Sequence, residues 1–170
     1  MDKQKNILVK KYLEQHSLVE SNILSFDDFI KNKMQAIVNE INENINKEEV
    51  EITLGKIRIE KPNIIESDGS TSLVTPSIAR LRNLTYSAPV FVELSVKYGG
   101  QSDSSEVEIG RIPMMVKSSV CNTYGMTREQ LRENYMDPLD PGGYFMVNGN
   151  ERIMVMNEDL AANQPFIEEG

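Results

Sequence analysis

Residues 84–98, Leu84-Thr85-Tyr86-Ser87-Ala88-Pro89-Val90-Phe91-Val92-Glu93-Leu94-Ser95-Val96-Lys97-Tyr98, decide the fold class. Val90, Val92, Leu94 and Val96 fall on one side of an extended chain, and Glu93, Ser95 and Lys97 on the other. That period of two predicts a strand in a sheet with one solvated face. Downstream, residues 99–105 (GGQSDSS) read as a flexible polar loop, and residues 107–117 resume as strand. Pro113 removes a ladder donor from that strand, which places it at an edge or a bulge. Upstream, residues 50–60 read as strand, with Ile52 and Leu54 in one phase and Ile57 and Ile59 in the other. The phase changes at Gly55, which predicts a bulge or tight turn there.

Around these strands the helical signals are few. Phe26, Phe29, Ile30, Met34, Ile37, Val38, Ile41 and Ile45 recur at steps of three and four, predicting an amphipathic helix over 25–46 with Ser25 as its cap. Lys31, Lys33, Asn39, Glu40 and Glu43 occupy its other face. Residues 11–20 read as a shorter helix or an extended arm. Residues 62–72 read as a polar loop turning at Asp68-Gly69. Thr75-Pro76 reads as a cap followed by proline at the first helical position, opening a short helix through Arg82. Thr127 with Gln130 has the spacing of a capping box for a helix to about Tyr135. After the turn-rich residues 137–143, residues 144–147 and 152–156 flank Asn148-Gly149-Asn150, a hairpin signal. Met154 and Met156 alternate with Ile153 and Val155, so the second strand is expected to be covered on both faces. The sum is an α+β fold: a mostly antiparallel sheet with one long amphipathic helix and short helices.

The chain has 170 residues, enough for one buried core, and a net charge of −8 that argues against a free-standing nucleic-acid binder. One cysteine, Cys121, makes neither an internal disulfide nor a zinc site, and fits a reducing cytosol. No stretch approaches the roughly 20 apolar residues of a membrane span, so no membrane partner is expected.

The single histidine, His16, has no partner motif. There is no phosphate-binding glycine loop and no serine elbow. Cys121 reads as an inert buried thiol. Asp137 and Asp140, among prolines and glycines, read as turn formers, and the acidic run at residues 48–51 as a solvated edge. No catalytic residue and no metal site emerge. The basic residues are more suggestive. Arg80 and Arg82 share a short helix, Arg111 and Lys117 bracket an edge strand, and Lys56 and Arg58 lie elsewhere. They read either as ordinary salt-bridging residues or as a small phosphate-facing patch on an acidic domain.

Residues 55–94 carry a resemblance. The run from Gly55-Lys56-Ile57 through Lys61-Pro62 and Glu66-Ser67-Asp68-Gly69 ends in Pro76, Ala79-Arg80-Leu81-Arg82-Asn83-Leu84-Thr85-Tyr86-Ser87. It resembles the second-largest subunit of archaeal RNA polymerase and its eukaryotic nuclear relatives. Four further segments are similar to that family in the same order: the His16-Ser17-Leu18-Val19 entry to the first helix; Ile109-Gly110-Arg111-Ile112-Pro113-Met114-Met115 with Lys117-Ser118-Ser119 and Cys121; Gly142-Gly143-Tyr144-Phe145 through Asn148-Gly149 and Glu151-Arg152; and Glu158-Asp159-Leu160-Ala161 with Asn163.

The resemblance implies the N-terminal part of that subunit, in its protrusion domain. Residues 1–24 would be an arm or short helix, 25–164 the first segment of the protrusion, and 165–170 a tail leading to a lobe domain. Arg80, Arg82, Arg111 and Lys117 become candidates for DNA contact. Asn83, Tyr86, Pro113, Gly142, Gly143, Asn148 and Gly149 become structural motif residues. The family role is a wall of the DNA cleft near upstream DNA and a surface for initiation factors such as transcription factor B. The expected partners are these, the other polymerase subunits and the rest of the same subunit. Polymerase activity belongs to the whole nucleotidyltransferase, whose magnesium and zinc sites lie elsewhere, so no cofactor is expected here. The short segment at residues 99–105 favours an archaeal, cytoplasmic and nucleoid-associated setting. A self-standing regulatory protein with a borrowed protrusion fold is the alternative. A missing return segment would leave a sheet edge or apolar face open, favouring self-association.

Overall fold

The computed structural model describes residues 2–45 and 50–155. Its centre is a three-stranded antiparallel sheet in the order β1-β4-β5, built from β1 (Glu51–Ile59), β4 (Ser87–Tyr98) and β5 (Gln101–Pro113). The alternation in β4 is realised: Val90 and Val92 are buried, Leu94 and Val96 half-buried, and Glu93 and Lys97 exposed. The bulge at Gly55 is there too. The β1–β4 register shifts between Leu54 and Ile57, so Ile52, Leu54, Ile57 and Ile59 are all half-buried despite their opposite sequence phases. The solvated face carries Arg58, hydrogen-bonded to Glu106 and Glu60 and stacked 4.4 Å over the Phe91 ring.

Residues 99–105 are not a loop. Gly99 and Gly100 form a two-residue turn with positive φ, and β5 pairs with β4 from Tyr98↔Gln101 onward. The distal half of β5 shows no apolar alternation because both its faces meet water; Gln101–Gly110 are all exposed. As Pro113 predicts, β5 is the outer strand, and the proline ends it. Residues 62–72 likewise contain structure: β2 (Asn63–Ile65) and β3 (Thr71–Leu73) form a small hairpin around Asp68-Gly69, and Asp68 accepts from the Ser70 N–H at 2.9 Å.

The helical region also departs from the sequence reading. α1 (Asp2–Gln15) is followed by α2 (Glu20–Asp28), a π-helical turn (Phe29–Lys33) and α3 (Met34–Ile45). Ser25 lies inside α2 and caps nothing. Ile37 and Ile41 are exposed, whereas Phe26, Ile30 and Val38 are buried. In an unbroken α-helix Phe26 and Val38 would point about 120° apart; the residue absorbed by the π turn brings them within roughly 20°. The irregularity therefore lets one helix serve both the core and the sheet.

α4 (Pro76–Leu81) opens as expected, with Thr75 Oγ accepting from the Ile78 N–H at 3.4 Å. α5 (Arg128–Glu133) has the full Thr127/Gln130 capping box. The last hairpin is shorter than its sequence suggests: β6 (Phe145–Val147) pairs with β7 (Asn150–Arg152) across Asn148-Gly149. Ile153, Met154 and Val155 leave it exposed rather than covered on two faces. Met156 and the motif at 158–163 lie outside the described residues, as do residues 48 and 49 of the acidic run. The main core joins Phe26 and Ile30 to Tyr86, Ala88, Met114, Met115, Cys121 and Met146, and a satellite core holds Val116, Leu131 and Met136. The fold is α+β with a mostly antiparallel sheet, one long helix and short helices.

Candidate functional site

Asn83, Tyr86, Asn148 and Gly149 meet at the junction of α4, the start of β4 and the β6–β7 hairpin. Tyr86 is its centre. Its N–H donates to Met146 O at 2.9 Å and its carbonyl accepts from Met114 N–H at 2.8 Å, joining three chain segments. Its phenol is fully buried, accepts from Asn122 N–H at 2.8 Å and lies 3.3 Å from Cys121 Sγ. Burial, with the thiol beside it, pushes the phenol's pKa far up, so it stays neutral. Asn122 extends the junction by donating to the carbonyls of Pro62 and Val74, at 2.7 and 2.6 Å. Cys121 is fully buried, as an inert thiol should be.

α4 ends with Asn83 in the left-handed region at φ 53°. Asn83 N–H bonds Arg80 O and Leu84 N–H bonds Ala79 O, the pair of bonds that closes a Schellman motif. The Asn148-Gly149 turn sits directly on that end. Gly149 N–H donates to Leu84 O at 3.0 Å, and Thr85 Oγ donates to Asn148 Oδ1 at 3.1 Å. A Cβ on Gly149 would lie 2.7 Å from Asn83 Oδ1. Gly142 and Gly143 belong to a second contact. Gly143 N–H donates to Val116 O at 3.0 Å, and Cβ atoms on the pair would meet Val116 O and the Val19 side chain at 2.6 Å each. Asp137 and Asp140 form turns, accepting from Leu139 N–H and Gly142 N–H.

The structure sorts the four basic candidates into two kinds. Arg80 pairs with Glu151, and Arg82 makes a two-bond pair with Glu66 at 2.7 and 2.9 Å. That pairing holds the Glu66 carboxyl below the usual carboxylate range. Arg111 is held by neutral groups: its guanidinium donates to the Asn63 backbone and side-chain oxygens and to Ser87. Lys117, at φ 64°, donates to the Asp140 carbonyl. Neither has a carboxylate ion-pair partner among the described residues. Arg82 and Arg111 both reach the β2–β3 hairpin, whereas Lys117 sits at the Gly142 contact. Glu66 and Glu151 stand in the motifs quoted above, but nothing local pairs them with Arg82 and Arg80, and Asn63 carries no signal in the sequence. Among the described residues no group of three or more His, Cys, Asp or Glu could hold a metal ion. No helix among them is long and apolar enough to cross a membrane.

The sequence profile of the family described as RNA polymerase beta subunit matches residues 17–163. The chain belongs to that family. DNA-directed RNA polymerase subunit Rpo2N of Halobacterium salinarum is 40% identical over 99% of this chain and 35% of its own length. The Rpo2N of Methanothermobacter thermautotrophicus is 43% identical over 95% of this chain and 32% of its own length. Subunit Rpo2 of Saccharolobus solfataricus is 41% identical over 96% of this chain, but only 15% of its own length. The chain thus spans about a third of the Rpo2N relatives it matches. As a beta-subunit family member it presents a packing junction, and two of its four basic candidates, Arg111 and Lys117, have no carboxylate partner among the described residues.

Proposed function

We propose that this chain is the N-terminal part of the second subunit of an archaeal DNA-directed RNA polymerase, forming one wall of the DNA cleft near upstream DNA and offering a surface to initiation factors such as transcription factor B. The single observation that carries the reading is the match over residues 17–163 together with the names of its relatives. Catalysis belongs to the assembled nucleotidyltransferase, with its magnesium and zinc sites in other parts.

Two surfaces fit a part built to be completed by others. The outer edge of β5 has no strand partner among the described residues. Beside it lies an apolar groove of about 530 Å³ walled by Phe26, Phe29, Ile112, Pro113, Met115 and Phe145. We assign these to the rest of the same subunit and to neighbouring subunits.

For DNA, Arg111 and Lys117 are the favoured contacts, because charges without carboxylate partners remain available to phosphates. Arg80 and Arg82 would first have to break ion pairs. In the assembled polymerase, Arg111→Ala or Lys117→Ala should each lower the slope of log affinity against log salt for upstream duplex by roughly 1. Arg82→Ala should leave that slope unchanged. Slopes unchanged by both of the first two substitutions would reduce Arg111 and Lys117 to structural struts.

A further inference from the structure

Between the β2–β3 hairpin and the start of β4 lies a cavity of about 270 Å³. Val74, buried, and Ile64 and Leu84, half-buried, make its apolar floor, and the exposed Ile65 stands at its rim. Asn63, Ser87 and Arg111 also line it. β2 turns its free edge to this space. Val74 N–H bonds Pro62 O and Glu66 N–H bonds Ser70 O across the hairpin. Bonded and non-bonded pairs alternate along an antiparallel ladder, so Asn63 and Ile65, opposite Leu73 and Thr71, point their backbone groups away from β3. Asn63 O accepts from the Arg111 guanidinium, which places that edge against the cavity.

The groups left unspent there are mostly donors. The N–H groups of Asn63 and Ile65 have no partner among the described residues. Arg111 uses Nε and Nη2 on Ser87 and Asn63, and its Nη1 makes no hydrogen bond among the described residues. Ser87 Oγ accepts from Arg111 Nε at 3.4 Å and donates to no described residue. The Ile65 carbonyl is the one unspent acceptor on the edge of β2. Nearby carboxylates do not oppose an anion: Glu60 pairs with Arg58 and Glu66 with Arg82, and Asp68, at the hairpin turn, does not line the cavity. An added peptide strand is disfavoured, because β2 is three residues long and Arg111 already caps Asn63 O. Convergent donors suit a phosphate, and the apolar floor beside them suits the face of a nucleobase. A paired base keeps its faces inside the stack, so only an unpaired nucleotide can use that floor.

We infer that this cavity takes one unpaired nucleotide of DNA, its phosphate on Arg111, Ser87 and the β2 N–H groups and its base against Ile64, Ile65 and Leu84. The inference rests on the reading of Arg111 as a DNA contact. The test uses the assembled polymerase on a promoter duplex with a preformed bubble, and moves a single abasic site through the upstream end of the bubble. An abasic site keeps the phosphate and deletes the base. At one position it should weaken wild-type binding at least about fivefold. That penalty should fall below about twofold in Ile65→Ala and in Leu84→Ala. Ile65 is exposed, so its variant keeps the fold and reads the cavity even if Leu84→Ala does not. Neither variant should alter the salt slope that Arg111→Ala lowers. A scan in which no penalty depends on Ile65, with Arg111→Ala still lowering the slope, overturns the inference and leaves Arg111 on a duplex phosphate. A slope unmoved by Arg111→Ala removes the DNA contact and the inference with it. Variants that bind the template like the wild type but lose affinity for a protein factor would assign the cavity to a peptide and overturn the inference.

Discussion

The side-chain amide of Asn42 donates to the carbonyl of Leu54 at 2.5 Å and accepts from the N–H of the same residue at 2.6 Å. Two helical turns earlier, Gln35 does the same for the other side of the bulge, donating to Gly55 O at 3.2 Å and accepting from Ile57 N–H at 2.9 Å. β1 is an outer strand of the sheet. The two amides stand in for the strand it lacks, so α3 closes one edge while the β5 edge stays open. Asn42→Ala should cost about 1–3 kcal/mol, because it strands a half-buried donor and acceptor, and should promote edge-to-edge association. Urea titration and sedimentation check both. A loss below about 0.5 kcal/mol would mean that water replaces the amide freely.

The seat of the Asn148-Gly149 turn on α4 predicts a steep and specific sensitivity. Gly149 has φ 74°, and an added Cβ would meet Asn83 Oδ1 at 2.7 Å and Arg80 O at 3.2 Å. Gly149→Ala should therefore destabilise by about 2–3 kcal/mol, combining backbone strain with the clash. Asn83→Gly in the same chain should recover part of that loss, since the nearest clashing atom is gone and glycine suits φ 53° there. Additive effects in the double-mutant cycle would deny the contact.

Acid should loosen the β2–β3 hairpin. Arg82 holds the Glu66 carboxyl below its ordinary value. A group depressed in the folded state contributes stability that is complete above its unfolded pKa and is lost as pH falls through the folded one. Glu66 is half-buried and its partner Arg82 is exposed, so solvent screens the pair and the contribution is small, but the titration itself is readable by NMR. The Glu66 midpoint should rise toward the ordinary carboxylate range in Arg82→Ala and stay low in Arg80→Ala, whose partner is Glu151. Equal midpoints in the wild type and Arg82→Ala would contradict the pairing.

Much of this was legible where local chemistry decides the outcome. The alternation of β4, the break at Gly55, the Thr75-Pro76 start, the Thr127/Gln130 box and the Asn148-Gly149 turn each act within a few residues. What escaped depends on distant partners. Gln101–Ser105 pair as strand although their side chains carry no core-facing pattern, because the ladder with β4 supplies their hydrogen bonds. The π turn at Phe29–Lys33 answers two separate surfaces, the core and the β1 edge, and leaves no local mark. Ile37 and Ile41 fit the helical stripe in spacing but not in burial for the same reason. The arginines were visible as candidates, but their sorting into neutralised and free required Glu66, Glu151 and Asn63 to be placed in space.

The central claim is that this chain works as a polymerase subunit part. Reconstitution of the archaeal enzyme from separately produced subunits tests it most directly, with promoter-directed RNA synthesis measured with and without the subunit that carries residues 17–163. Omission should abolish assembly and synthesis, and adding the subunit back should restore both. An enzyme that assembles and transcribes equally well without it would contradict the account.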